Sequence, residues 1–84
     1  MPEQIIGKIT HYFGKIGVAV VEISEGELRV GDTIHVMGHT SDFTQKVESM
    51  QVEHQDVQVA TKGDSVGMKV VAHAHEHDMV YKVT

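Results

Sequence analysis

His73, His75 and His77 are the residues whose type and spacing bear most directly on chemistry, within Ala72-His73-Ala74-His75-Glu76-His77-Asp78. In an extended strand alternate residues share a face, with successive imidazoles about 7 Å apart. Such a row can offer two or three nitrogens to one Zn²⁺ or Ni²⁺ ion, acquired adventitiously or held as a physiological site. The competing reading is a polar, exposed connection that happens to use histidine. Ser, His and Asp are all present, but no Gly-x-Ser-x-Gly elbow is, and a triad is recognised by geometry rather than by composition. Gly14-Lys15 is followed by Ile16, so there is no phosphate loop, and no dinucleotide fingerprint appears. Tyr12 and Phe13, beside Lys8, Lys15 and His11, could stack on a base and touch phosphate, or meet a protein partner. The favoured reading is that Tyr12 and Phe13 cap one end of a small core.

These side chains must be carried by a small scaffold. The 84 residues predict a single domain (1–84) with a modest core. There is no Cys, which excludes disulfides, thiol chemistry and Cys-based zinc sites. The N-terminus reads as no secretory signal, no run approaches the length of a membrane span, and the composition fits a cytoplasmic protein. Seven Lys and Arg against twelve Asp and Glu set a formal charge of −5 with histidines neutral. That balance disfavours autonomous nucleic-acid binding, which needs a basic face.

The elements read as strands. Gln4–Tyr12 is a first strand with imperfect alternation, Phe13-Gly14-Lys15 a tight connection, and Ile16–Ile23 the strongest strand. Ser24–Leu28 turns the chain, and Thr33–Met37 is extended. Phe43–Glu53 reads as one long strand whose apolar side switches near Ser49-Met50, where a bulge or bend is expected. His54–Ala60 is ambiguous, Val66–Val70 alternates, 71–78 is a His-rich connection, and Met79–Val83 closes the chain. No segment has helical spacing. Short strands and Gly-based turns predict an all-β fold, a small closed antiparallel Greek-key barrel of six or seven strands. Gly31-Asp32 and Gly63-Asp64, with Gly67 shortly after, are expected to be structural turn residues.

With the strands placed, three stretches carry a family likeness: Gly26-Glu27-Leu28-Arg29-Val30-Gly31-Asp32-Thr33-Ile34, Val47-Glu48-Ser49-Met50-Gln51-Val52, and Lys62-Gly63-Asp64-Ser65-Val66-Gly67-Met68. In order and spacing they resemble the second domain of translational GTPases of the elongation factor Tu and initiation factor 2 type, and small free-standing elongation factor-like proteins. Related barrels also occur as appended domains of enzymes, among them U32-type peptidase-like proteins. The resemblance implies a non-catalytic binding module docking on a protein or ribonucleoprotein partner, with RNA met only as part of a complex. It implies no GTP binding, because the G domain is not in this chain. The alternative reading is a small metal-binding protein using His73, His75 and His77.

Overall fold

The computed structural model describes residues 3–83, and the strands are numbered in chain order. They are β1 (Glu3–Phe13), β2 (Val18–Ile23), β3 (Glu27–Arg29), β4 (Thr33–Met37), β5 (Asp42–Lys46), β6 (Met50–Val52), β7 (Gln55–Val57), β8 (Val59–Thr61), β9 (Ser65–Lys69) and β10 (Met79–Val83). Eight form one antiparallel sheet in the order β5-β4-β10-β1-β2-β9-β6-β7, and β3 pairs with β8 in a separate ribbon. The fold is all-β. Among the described residues no helix is long and apolar enough to cross a membrane.

The described strands number ten rather than the expected six or seven, because short pieces hide in segments that local pattern reads as turn or loop. Glu27–Arg29, expected to be partly turn, pairs with Val59–Thr61 and buries Leu28 opposite Ala60. The expected long strand Phe43–Glu53 is divided. Its β5 half pairs with β4, and its β6 half pairs with β7 and β9. At the break Val47 is buried, accepting from the Gly31 N–H at 2.8 Å and donating to the Asp32 carbonyl at 2.8 Å. The switch of apolar side therefore marks a change of partner strand.

The imperfect alternation of β1 also has a local cause. Its register shifts against β10 between Ile5 and Gly7, and against β2 between Ile9 and His11. Each extra residue resets the alternation. Ile6, Ile9 and Tyr12 therefore meet the core at intervals of three. Ala19, Val21 and Ile23 of β2, Ile34 and Val36 of β4, Val66 and Met68 of β9, and Val80 of β10 complete its centre.

Three turns share one construction. In Arg29–Asp32 the Asp32 N–H donates to the Arg29 carbonyl (3.1 Å) while its carboxylate accepts from the Arg29 N–H (2.9 Å). Thr61–Asp64 repeats both bonds at 2.9 Å. The third, His75–Asp78, has the carboxylate bond at 2.9 Å and the backbone bond at 3.2 Å. The third residue of each has positive φ: Gly31 at 99°, Gly63 at 97° and His77 at 74°. This is the geometry that glycine adopts most readily. Gly67 is different and corrects the turn reading. It lies inside β9, and it is not among the described residues of positive φ.

Candidate functional site

The outward face of β1, β2, β9 and β6 follows from register, since directly paired residues share a face. One row runs His11, Val20, Gly67, Gln51; the next runs Phe13, Val18, Lys69. Gly67 interrupts the first row with no side chain, leaving a depression between Val20 and Gln51. An added Cβ there would have room, 3.8 Å from Val18 Cγ1 and 3.9 Å from the Gln51 carbonyl oxygen. Glycine is therefore not required by backbone strain or crowding at this position, and its effect is to shape the surface.

Around the depression lies a trough of about 510 Å³, lined by Ile16, Val18, Ser49, Gln51, Gly67 and Lys69 among others. A second trough adjoins it, sharing Ile16, Val18, Gln51 and Gly67 and adding Phe13, Val20 and Glu53. Ile16 is 63% exposed and Phe13 45%. Val71, 76% exposed, is close by, since the Val70 N–H donates to the Gly17 carbonyl at 3.0 Å. Among the described residues, three of the four large exposed apolar side chains thus gather at this part of the surface.

The aromatic cluster expected at the first hairpin is divided by the β1 bulges. Lys8, paired with Glu22, and Phe13, paired with Val18, belong to the outer face, and Lys15 is exposed in the turn beside Ile16. Tyr12, paired with the buried Ala19, points the other way and packs against the core. Tyr12 is therefore not part of a surface shared with Phe13. Its ring instead meets His73 at 4.6 Å, and His73 meets His75 at 4.5 Å.

The His-rich segment is a connection and not an extended strand, so the one-face row that a strand would give does not form. Ala74 is buried, residues 76 and 77 form a turn, and His77 has φ 74°. His73 and His75 come together without His77 in their stack. Among the described residues no group of three His, Asp or Glu is arranged to hold a metal ion. Ser41 Oγ lies 3.0 Å from His75 Nδ1, and Asp78 Oδ2 lies 3.8 Å from that same nitrogen. A Ser-His-Asp relay needs hydroxyl and carboxylate on opposite ring nitrogens. The Asp78 carboxylate closes the turn described above.

His35 stands in the middle of β4. In the structure its ring is only 13% exposed and is held between two carboxylates: Nδ1 is 2.9 Å from Glu3 Oε2 and Nε2 is 2.5 Å from Asp42 Oδ1. The contact links β1, β4 and β5. With an acceptor at each nitrogen the doubly protonated ring is favoured, and the hydrogen bonds to Asp42 first, then Glu3, raise its pKa above the usual histidine value. Its contribution to stability is thus fully present below about pH 6.5. It is lost as pH rises through the higher native value. Melting temperatures of wild type and His35→Gln measured from pH 5.5 to 9 should show a fall in the wild type that is smaller in the variant. Equal slopes would remove His35 as the cause. Only strand register reveals this clamp, because Glu3 lies 32 positions from His35.

The structure is a small all-β fold with an apolar trough on its outer face. The family model for elongation factor Tu domain 2 matches residues 17–80. The chain belongs to that family. Among curated proteins it is 39% identical over 77 residues to an uncharacterized protease of Methanocaldococcus jannaschii, covering 90% of this chain and 19% of that protein. It is 40% identical over 78 residues to a collagenase of Porphyromonas gingivalis, covering 92% and 22%. The chain thus spans about a fifth of the length of the curated relatives it matches. Among solved structures the C-terminal domain of a U32 peptidase of Geobacillus thermoleovorans superposes with a TM-score of 0.89 at 24% identity, over 96% of this chain and 93% of that one. A selenomethionine form of that domain gives 0.86. These structures share the fold.

Proposed function

We propose that this chain is a non-catalytic docking module that binds a protein or ribonucleoprotein partner in the cytoplasm through the outer face around Gly67. The observation that carries the reading is the depression itself, which exists because a mid-strand position with room for a side chain holds glycine. An apolar surface at one end of a small domain is a feature that a partner would cover. The relatives support it by analogy: stretches like this chain make up about a fifth of a protease and of collagenases, and the Geobacillus domain is the C-terminal part of a peptidase. A small domain that accompanies a larger body acts through its contacts. No residues of this chain are assigned a catalytic role.

The same proposal takes the curled sheet as a closed Greek-key barrel of one domain. Gln45 on β5 supports closure: its Nε2 donates to the Lys69 carbonyl at 2.8 Å and its Oε1 accepts from the Val71 N–H at 2.7 Å. One side-chain amide thus bridges β5 to the chain leaving β9, as a peptide group would in a ladder.

The test compares wild type with Gly67→Val. Valine is a good strand former and fits the backbone here, so the variant should melt at or above the wild-type temperature. Both proteins, carrying a tag other than polyhistidine, are recovered from native lysate with and without RNase. Partners kept by wild type and lost by Gly67→Val support docking at this face, and their RNase response separates ribonucleoprotein from protein. Identical recovery by both proteins would sink the assignment of the face.

A further inference from the structure

The outer face is electrically polarised. The trough that contains Lys69 has no carboxylate in its lining, whereas the adjoining one is lined by Glu53 and His54. Lys69 also borders a third hollow lined by Lys46 and by one carboxylate, Glu48, and Lys15 shares the exposed turn with Ile16. Among the described residues none of Lys15, Lys46 and Lys69 is in an ion pair, although Lys82 and Arg29 are. On a chain of net charge −5, this end therefore combines three cations outside any described ion pair, against the one carboxylate of Glu48, with exposed aliphatic side chains. Unpaired cations at the rim of an apolar patch favour a partner of opposite charge and set its orientation.

Resting on the docking reading above, we propose that the occupant is a protein segment that places one large apolar side chain in the Gly67 depression and a carboxylate toward Lys69. The surface favours protein over RNA. Ile16, Val18, Val20 and Val71 are aliphatic and suit an apolar side chain, whereas base recognition draws on aromatic platforms and arginine. Across the two troughs the only rings are one phenyl, Phe13, and one imidazole, His54, both in the second, and no arginine lines either. Glu53 at the opposite end repels a second carboxylate, so the segment binds in one direction.

The test selects peptides from a random phage-displayed library on the immobilised full chain and measures the winners in solution. Enriched peptides should carry a large apolar residue close to Asp or Glu. Gly67→Val should weaken them about tenfold or more, in the range of losing an interface anchor. Lys69→Glu should weaken them several-fold and turn a fresh selection toward Lys or Arg. Basic winners, no enrichment, or affinities unchanged by both substitutions would overturn the proposal. So would a fluorescent oligouridylate that binds wild type and is lost by Gly67→Val. If lysate partners still depend on Gly67 while the peptides fail, the partner chemistry is wrong and the docking reading stands. If neither depends on Gly67, both fall.

Discussion

Gly7→Ala should lower the melting temperature by roughly 10–20 °C, the result of about 2–3 kcal/mol of overpacking in a domain of this size. Gly7 is a buried strand residue between β10 and β2, paired with Val80 on one side and Ile23 on the other. A Cβ at this position would overlap the Glu22 carbonyl oxygen and press on its carbonyl carbon at 3.0 Å. The obstacle is backbone, so no rotamer change relieves it. Moving the Glu22 peptide would disturb the ladder on both sides of β2, including the Ser24 N–H bond to the Ile6 carbonyl at 2.7 Å. Thermal unfolding followed by circular dichroism measures the effect. A variant melting within about 3 °C of wild type, well under the shift from 1 kcal/mol, would show that the close approach does not constrain the fold.

Gly31→Val should destabilise by about 2 kcal/mol or more, for a different reason. Nothing lies within 4 Å of a Cβ at Gly31, so crowding contributes nothing. The strain is in the backbone, at φ 99°, beyond the small left-handed region that side-chain-bearing residues enter. The third turn provides the control. His77 occupies the equivalent position at φ 74°, nearer the left-handed basin, where an L residue is strained but accommodated. His77→Gly should therefore raise stability by about 0.5–1 kcal/mol, the relieved strain being partly offset by the greater freedom of glycine in the unfolded chain. Chemical denaturation of the three proteins gives both signs. Equal stability of Gly31→Val and wild type would contradict the turn geometry.

These two glycines show how differently residues of one type can be read. Gly31-Asp32 announces its turn locally, because the bonds that close it join residues three apart. Gly63-Asp64 does the same. The third turn escaped sequence reading because histidine stands where the pattern leads one to expect glycine. Gly7 carries no local signal, and Gly67, close behind Gly63-Asp64, reads locally as a turn residue although it lies inside β9. Their roles depend on what lies across the strand: Glu22 for one, Val20 and Gln51 for the other.

The sequence by itself determined the all-β class, most of β2, β4, β9 and β10, the two Gly-Asp turns and the family. All of these rest on alternation and turn chemistry within a few residues, where physics is local. Tertiary structure alone decided the rest. It split Phe43–Glu53 between two partners, turned Tyr12 inward and Phe13 outward, drew His35 between Glu3 and Asp42, and set Gly67 at the floor of a trough. Each of these depends on strand register, and the bulges in β1 shift register by whole residues. A one-residue shift sends a side chain to the opposite face, so the composition of a face follows from pairing energies across the sheet.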